Sequence, residues 1–362
     1  MKTIVIAHNY TQQTVAAMSY NLAHYLSNNN YKVIFISHRP FFEKEFIDDK
    51  VIVCSWPTNA RPTSLKDAIW FAKLYLKYKP NIIISHFGSV NITVIVAKIL
   101  SFWKVKTFPY YHTLSKQLML DNIESKSLKC IKNFRKYIVY KFFCDQIICP
   151  SELSKLDLLE YFKLDKGIKV LNPINDRFID LKKINSNKIK LSYLGRIDKS
   201  KGVFLLAEAF NFYCEQNPAT QIKLQIAGSG NQENNFYEII KSNKNVNYIG
   251  ALNYDKVDNF LKTGSYTIIP SFSDNLPTVG LESLMNGIPL LISRSTGLTL
   301  ELNDTLNCVI FNPVINELIQ LFSNLEDDRY DYKNLKINAR KIYLKKFGVD
   351  NYCKAIVAVI EN

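Results

Sequence analysis

The chain has a cluster of cations just after a short apolar run in its second half. Arg196 and Lys201 stand in the segment LGRIDKSKG, and the residues that follow, 203–216, carry apolar side chains at helical spacing. Cations beside the positive end of a helix dipole are mildly unfavourable unless an anion is present. Free helix N–H groups and the two cations would together hold a phosphate group. The segment therefore predicts an anion site, the alternative being an exposed loop whose charges point to water.

Two carboxylates occupy a second polar loop. Asp274 follows the apolar run 266–269, and Glu282 comes near the start of the next short helix, with seven residues between the two acids. Such a pair can accept hydrogen bonds from vicinal hydroxyls of a sugar or ribose, whereas helix capping alone is the simpler explanation. Gly280 removes a side chain where a ligand would approach the backbone. A weaker signal is the turn at Gly228 and Gly230, which suits a ligand or a plain turn equally.

Short apolar runs alternate with amphipathic stretches and supply the elements that must position these loops. The predicted strands are 3–7, 32–37, 51–54, 81–85, 106–111 and 146–149 in the first half, then 190–194, 223–227, 247–249, 266–269 and 289–293. This alternation is typical of parallel sheets built of right-handed β-α-β units. We therefore expect an α/β fold with two doubly wound domains, residues 1–175 and 176–345, joined through a polar connection. A last helix, 346–362, is expected to pack back towards the first domain.

Four of the five histidines follow predicted strands of the first domain: His8, His38, His86 and His112. In doubly wound sheets, ligands bind beyond the carboxyl ends of the strands. Each histidine alone is explained by one loop hydrogen bond. Together they predict a polar rim facing a cleft, with His8 and His86 on the acceptor side.

The charge is unevenly distributed. The formal net charge is +14, and residues 1–175 hold 24 Lys/Arg against 12 Asp/Glu, or +12. Basic residues concentrate between Lys98 and Lys141, with aromatic residues among them. This mixture suits an anionic membrane surface, and it would also suit nucleic acid, which we consider less favoured because it rests on charge alone. A solvated charged face over a buried aromatic stripe is the alternative. The predicted membrane patch comprises Lys129, Lys132, Arg135 and Lys136.

Composition indicates the compartment. With 47% hydrophobic and 22% charged residues the chain is neither disordered nor fibrous. No apolar run reaches the roughly 18 residues of a membrane span, and the apolar start is too short for a signal peptide. Seven cysteines without a Cys-x-x-Cys pair argue against a disulfide framework or a zinc site. We expect a soluble cytoplasmic protein.

In this order and spacing, the motifs resemble those of GT-B glycosyltransferases of the large retaining family 4, the group of bacterial cell-surface polysaccharide and glycolipid enzymes. Gly195-Arg196 with Lys201-Gly202 is similar to the family's G-R-x4-K-G phosphate loop. Asp274 and Glu282 occupy the ends of its E-x7-E motif. The remaining matches are Gly228-x-Gly230, Pro150-Ser151, Val170-Leu171-Asn172-Pro173 and Arg177-Phe178.

The resemblance implies two Rossmann-like domains facing each other across a cleft, and retaining transfer of a hexose without a metal ion or other cofactor. The donor would be a nucleotide-diphosphate sugar, with UDP favoured, and the acceptor lipid-linked or a saccharide, in lipopolysaccharide or capsule synthesis at the inner membrane face. The implied catalytic residues are His112, Asp274 and Glu282, with Glu282 on the ribose. Further donor contacts would come from Arg196, Lys201, Gly280 and Leu281, within loops shaped by Gly195, Gly202, Gly228 and Gly230.

Three departures from the family pattern involve four residues. The first acid is Asp274 rather than glutamate, Gln13 and Thr14 stand where paired glycines fall, and Leu298 replaces a second glycine. Alternative functions are a nucleotide-sugar epimerase or phosphorylase of the same fold and a non-catalytic nucleotide-sugar-binding subunit. An NAD-dependent oxidoreductase is disfavoured because no G-x-G-x-x-G follows the first strand.

Overall fold

The computed structural model describes residues 1–9, 14–38, 51–121, 126–179 and 189–361, the side chains of residues 14, 15, 89 and 126–129 excepted. The chain divides into two compact units. The first consists of Met1–His112, Ile123–Pro173 and Val349–Asn362, and the second of Thr113–Asn122 and Ile174–Gly348. The division after Pro173 compares with a predicted boundary at residue 175, and the segment Thr113–Asn122 joins the second unit although its sequence neighbours belong to the first.

The first unit is built on a five-stranded parallel sheet of order β3-β2-β1-β4-β5. Its strands are β1 (Thr3–Ala7), β2 (Lys32–Ser37), β3 (Val51–Ser55), β4 (Ile82–Ser85) and β5 (Lys106–Pro109). A separate parallel pair, β6 (Ile147–Cys149) and β7 (Gly167–Lys169), follows, and β7 was not among the predicted strands. The helices are α1 (Thr14–Asn28), α2 (Leu65–Tyr78), α3 (Asn91–Leu100), α5 (Lys126–Phe143), α6 (Glu152–Phe162) and α13 (Val349–Glu361).

Both faces of this sheet are buried, which explains why its strands read as nearly continuous apolar runs. One face, including Ile4 and Ile6, packs against Leu22 of α1 and Ile356 of the last helix α13. The opposite face, including Val5, packs against residues of α2 and α3. The last helix is therefore part of the first unit's core.

The second unit contains a six-stranded parallel sheet of order β10-β9-β8-β11-β12-β13. Its strands are β8 (Lys190–Leu194), β9 (Lys223–Ala227), β10 (Val246–Tyr248), β11 (Tyr266–Ile269), β12 (Leu290–Ser293) and β13 (Cys308–Phe311). Its helices are α4 (Ser115–Asp121), α7 (Val203–Gln216), α8 (Glu233–Ile240), α9 (Val257–Lys262), α10 (Thr278–Met285), α11 (Ile315–Glu326) and α12 (Tyr332–Lys346). The core on one face joins apolar residues of α7 and α11 to the sheet.

Strand order fixes where each sheet can bind a ligand. Successive strands are added first towards one edge of the sheet and then towards the other. This reversal of strand order lies between β1 and β4 in the first unit and between β8 and β11 in the second. Ligands of doubly wound sheets bind beyond the carboxyl ends of the strands at such a point. The predicted α/β fold of two Rossmann-like domains with parallel sheets is confirmed.

Candidate active site

The cation-bearing loop of the second unit leaves β8 at its carboxyl end, forms a short 3-10 turn at Lys199–Lys201 and enters α7 at Val203. Gly202 has a φ of +66°, and a Cβ there would lie 2.0 Å from the carbonyl oxygen of Pro270. Only glycine fits that backbone position without displacing the neighbouring loop. The Phe272 N–H donates to the carbonyl of Ser200 at 2.8 Å. Main-chain contacts therefore hold the loop after β8 against the loop after β11.

Two further glycines support this loop from its other side. Gly228 has a φ of +143°, and a Cβ there would lie 1.8 Å from the Gly195 carbonyl oxygen. A Cβ on Gly230 would lie 2.5 Å from the carbonyl oxygen of Ile197. The Ile197 N–H donates to the Ser229 carbonyl at 2.9 Å. Close backbone packing therefore requires both glycines, and it would do so even if the turn bound no ligand.

Lys201 and Asp274 form an ion pair in this structure. The Lys201 Nζ lies 2.6 Å from Asp274 Oδ2, and both side chains are largely buried. One is the predicted phosphate contact and the other the predicted sugar contact, so the structure brings these two residues together. Breaking such a pair by removing one partner leaves a buried charge without compensation, which costs several kcal/mol. A bound phosphate would therefore share Lys201 with Asp274.

Glu282 lies on α10 and is only 4% exposed. Burial raises the pKa of its carboxyl to about 7, while the Arg177 guanidinium, 3.9 Å away, acts in the opposite direction. Arg177 is itself fixed by Asp258, through Nε–Oδ2 at 2.8 Å and Nη2–Oδ1 at 3.1 Å. Its third donor group binds the Tyr254 hydroxyl at 2.8 Å. Glu282 is thus a buried carboxyl with a raised pKa. It lies beside the Arg177 guanidinium, which is already hydrogen-bonded to Asp258 and Tyr254.

In the sequence, Arg177 stands out only as part of the Arg177-Phe178 match to the family pattern, and Asp258 was not predicted as a site residue. Asp258 lies on α9, 81 positions further along the chain, and nothing in its local pattern sets it apart from an ordinary helix-start acid. A bidentate arginine–carboxylate pair of this kind depends on the fold alone.

The space beside Gly280 is occupied by the protein itself. A Cβ on Gly280 would lie 2.6 Å from Leu298 Cδ2, and Leu298 is fully buried. The glycine therefore avoids a clash with Leu298, which stands where the family pattern has a second glycine, and the expected approach of a donor to the Gly280 main chain stays a prediction. The Leu281 side chain is also fully buried, so only its main chain is available to a donor.

Arg196 is more exposed than Lys201 and pairs with two acids. Its side chain is 55% exposed and forms ion pairs with Asp198 and, at 3.1 Å, with Asp121. Asp121 is the last residue of α4, and its carboxylate also accepts hydrogen bonds from the Ser200 N–H at 2.8 Å and the Ser200 hydroxyl at 2.7 Å. In the sequence, Asp121 is one of two acids between Lys98 and Lys141, the other being Glu124, and nothing marks it as a partner of Ser200. Its contact with the predicted phosphate loop arises because α4 belongs to the second unit.

Three histidines meet at the carboxyl edge of the first sheet. His8 follows β1 and His86 follows β4, on either side of the reversal point, and His86 Nδ1 lies 3.1 Å from His112 Nε2. The ring of His112 is nearly parallel to that of Tyr110, with centroids 5.0 Å apart. Burial lowers the pKa of His112 to about 3 and the pKa of His86 well below its usual value. The imidazoles of His86 and His112 are therefore neutral near pH 7 and offer hydrogen-bond donors and acceptors without charge.

His38 has a different environment from the other three. It is half-buried just after β2, and its pKa is lowered by burial, with Asp67 opposing that effect. Gln13 lies outside the described residues, as does the side chain of Thr14.

The basic segment separates into buried and exposed parts. Lys136 Nζ lies 4.2 Å from the Tyr111 ring centroid, with the Tyr140 and Phe162 rings at 5.4 and 5.2 Å. Burial lowers the pKa of Lys136 to about 8. Lys136 is half-buried, whereas Lys98 is fully buried, 2.7 Å from Asp145. Lys136 therefore belongs to an internal aromatic cluster and not to the outward patch in which we placed it.

The exposed part joins cations to large apolar side chains, and we call it the aromatic–basic surface. It comprises Phe102, Trp103, Ile131, Lys132, Phe134, Arg135 and Phe142, all exposed. Lys129 belongs to α5, but its side chain lies outside the described residues. Among the residues that the structure describes, no helix combines the length and apolar character needed to cross a bilayer.

Two family models match the chain in succession. The model described as Glycosyltransferase Family 4 matches residues 15–175, and the model described as Glycosyl transferases group 1 matches residues 175–342. A relative from Escherichia coli, UDP-Gal:alpha-D-GlcNAc-diphosphoundecaprenol alpha-1,3-galactosyltransferase, is 24% identical and aligns with 76% of this chain and 73% of its own length.

Solved structures show the same fold. Sucrose-phosphate synthase from Thermosynechococcus elongatus superposes with a TM-score of 0.80 at 15% identity, over 100% of this chain and 98% of its own. Anabaena Alr3699/HepE in complex with UDP and glucose superposes with a TM-score of 0.75 at 13% identity, over the full length of both chains. The two successive family models and the shared architecture show that the chain belongs to the GT-B glycosyltransferases of family 4.

Proposed function

We propose that this glycosyltransferase moves a hexose from a nucleotide-diphosphate sugar, with UDP favoured, to a lipid-linked or saccharide acceptor, retaining the anomeric configuration and needing no metal ion. The observation that carries the proposal is the contact between Lys201 and Asp274 at 2.6 Å. It brings the predicted phosphate loop and the predicted sugar loop together at the carboxyl ends of β8 and β11, where doubly wound sheets bind ligands.

The reaction needs positive charge from the protein beside the leaving group. When the glycosidic bond to the donor breaks, negative charge grows on the diphosphate oxygens. Fixed cations and N–H dipoles stabilise that charge best in a site that excludes water. Lys201, Arg196 and the first N–H groups of α7 supply them, and the 14-residue length of α7 gives a full helix dipole. These groups replace a metal ion in the proposal.

Glu282 would hold the ribose. An ionised carboxylate accepts hydrogen bonds from two vicinal hydroxyls, and burial strengthens such bonds by excluding water. A pKa of about 7 means that the ligand-free carboxyl is about half protonated at neutral pH. Hydroxyl donors and the nearby Arg177 both favour the ionised form, so ribose binding should draw Glu282 towards full ionisation.

Uracil is the favoured base because two proteins similar to this chain are described with a uridine diphosphate. The Anabaena structure contains UDP and glucose, and the E. coli relative is named for UDP-Gal. The same relative is named for an acceptor on diphosphoundecaprenol, which supports a lipid-linked acceptor here.

The aromatic–basic surface supports membrane binding by the first unit. Ile131, Phe134 and Phe142 share one stripe of α5 by their helical spacing, with Lys132 and Arg135 beside it. The Trp103 Nε1–H donates to the Phe142 carbonyl at 3.1 Å, which fixes the turn after α3 against the end of α5. Exposed aromatic residues with adjacent cations suit the interface of an anionic bilayer. We propose that the enzyme is cytoplasmic and binds peripherally to the inner membrane face, where a lipid-linked acceptor is accessible.

A turnover assay tests the proposed reaction. The purified protein is incubated in EDTA with UDP-sugars and with diphosphoundecaprenol-linked monosaccharides, and NMR reports the anomeric configuration of the product. We expect UDP release that depends on the acceptor and a product with the donor's configuration. Epimerised donor without an acceptor would favour an epimerase, and nucleotide binding without release under any condition would favour a non-catalytic subunit.

A further inference from the structure

A carboxylate already occupies the loop proposed to hold the donor's diphosphate. Asp121 accepts three hydrogen bonds: from the Ser200 N–H at 2.8 Å, from the Ser200 hydroxyl at 2.7 Å and from Arg196 Nη2 at 3.1 Å. All three donors belong to the segment between β8 and α7. Main-chain N–H groups ahead of a helix together with a guanidinium are the groups that bind phosphate oxygens in proteins.

The contacts to Ser200 dominate this arrangement. Arg196 is 55% exposed and shares its charge with Asp198, so water and salt screen its attraction to Asp121. Ser200 is fully buried, and a buried donor left without an acceptor carries the whole cost of its desolvation. An incoming phosphate oxygen must therefore take the place of the Asp121 carboxylate at Ser200 or approach against its negative charge.

We propose that Asp121 is an internal competitor for the phosphate loop and thereby sets the affinity and charge selectivity of the donor site. The inference rests on the proposed function, because it assumes that a nucleotide diphosphate binds at this loop. Asp121 satisfies the loop's donors in the absence of ligand. A ligand whose phosphates reach the loop must displace this carboxylate or approach its charge, so Asp121 weakens the binding of diphosphates more than that of monophosphates and leaves the binding of nucleosides unchanged.

The test compares Asp121→Asn with a matched control, Asp165→Asn. Asparagine keeps an acceptor oxygen for Ser200 but removes the negative charge, and Asp165 is an exposed acid of the first unit. Isothermal titration gives Kd for UDP, UMP and uridine in the wild type and both variants, with GDP, ADP and CDP as further probes. Thermal unfolding shows whether each variant is folded, and Asp121→Ala serves as a second variant without the charge.

We expect Asp121→Asn to bind UDP roughly tenfold more tightly than the wild type does, which corresponds to the loss of one partly exposed charge repulsion. The gain should be smaller for UMP and absent for uridine, and Asp165→Asn should match the wild type. Raising the salt concentration should reduce the difference between Asp121→Asn and the wild type for UDP.

The outcomes separate the inference from the function on which it rests. If the wild type binds a nucleoside diphosphate and both folded Asp121 variants bind it equally or more weakly, Asp121 is not a competitor. An equal gain for uridine and UDP would likewise overturn the inference, because it would indicate a general loosening of the site. If neither the wild type nor either Asp121 variant binds any of the four diphosphates, the proposed donor site itself is wrong.

Discussion

The two sheets of this protein share their strand order around the reversal point, yet the side chains at that point differ in kind. Residues 1–175 carry +12 of the net charge of +14, but the groups at their strand ends are neutral imidazoles stacked on aromatic rings. The second unit, close to neutral overall, concentrates ion pairs at the same place. Net charge of a region therefore does not indicate where its charged chemistry lies.

Burial explains the difference. In the first unit, burial penalises the imidazolium form and leaves His86 and His112 uncharged. In the second unit, Lys201 and Asp274 stabilise each other's charge, so both remain available to an ionic ligand. Most cations of the first unit whose side chains the structure describes lie instead on its surface, apart from inward-facing exceptions such as Lys136.

Removing Lys201 should have the largest effect. Lys201→Ala removes a cation from the proposed phosphate loop and the Lys201 partner of the buried Asp274. We expect the turnover number to fall roughly 10²- to 10³-fold, as for loss of one group that stabilises the leaving charge. Lys199→Ala, an exposed lysine in the same 3-10 turn, is the matched control and should retain turnover. Equal losses in both variants would remove the distinction between the two lysines.

Glu282 should link donor affinity to pH. Because its pKa is about 7, the carboxyl gains a proton as the pH falls from 8 to 6, and we expect Kd for UDP to rise by up to about tenfold. Glu282→Gln should bind more weakly at pH 8 and show little dependence on pH over this range. A wild-type Kd that is constant between pH 6 and 8 would contradict the assignment.

Glu282 should also make stability depend on pH, but in the opposite direction: a rise in pH should strengthen donor binding and weaken the folded state. A carboxyl whose pKa is raised by folding destabilises the folded state as the pH rises from about 4.5 to about 7. Replacing Glu282 by Gln should therefore increase the free energy of unfolding by about 2 kcal/mol more at pH 8 than at pH 5. Urea unfolding at both pH values measures this difference, and a variant whose relative stability is unchanged by pH would show that Glu282 is not held by burial.

The histidines of the first unit should remain neutral where ordinary histidines titrate. Their pKa values are lowered, so we expect the imidazole ¹⁵N signals of His86 and His112 to keep neutral shifts from pH 8 down to about pH 5. His86→Gln and His112→Gln variants assign the two signals. A titration midpoint near 6.5 for either one would remove the contrast with the charged second unit.

The smallest effects should distinguish the exposed cations Lys132 and Arg135 from the half-buried Lys136. Lys132→Gln and Arg135→Gln should each weaken binding to vesicles containing anionic lipid by about 1 kcal/mol, and salt should weaken it further. Lys136→Gln should leave vesicle binding unchanged and lower the free energy of unfolding by about 1 kcal/mol through loss of its contacts with aromatic rings. Equal effects of all three substitutions on vesicle binding would show that Lys136 contributes to the membrane-binding surface as Lys132 and Arg135 do.

Much of the fold was predictable because periodicity and local turn chemistry are properties of short segments. The apolar runs predicted β1, β2, β8, β9 and β11 with the ends that the structure has. The loops with Arg196, Lys201 and Asp274 could be placed at strand ends for the same reason. The short strand β7 (Gly167–Lys169) was missed, because its three partly exposed residues carry no apolar pattern.

The partners of the charged residues were not predictable. Asp121 reaches Ser200 only because α4 belongs to the second unit, and Arg177 meets Asp258 across 81 positions. The sequence pattern predicts Lys136 to be a surface cation, because its contacts with the Tyr111, Tyr140 and Phe162 rings form only on folding. Such pairings depend on tertiary contacts that leave no periodic signal in one sequence.

A crystal structure of the protein with bound UDP would test the central claim most directly. We expect diphosphate oxygens at about 3 Å from Lys201 Nζ and the Arg196 guanidinium, with the ribose hydroxyls on Glu282. A nucleotide bound with its diphosphate away from both cations would contradict it.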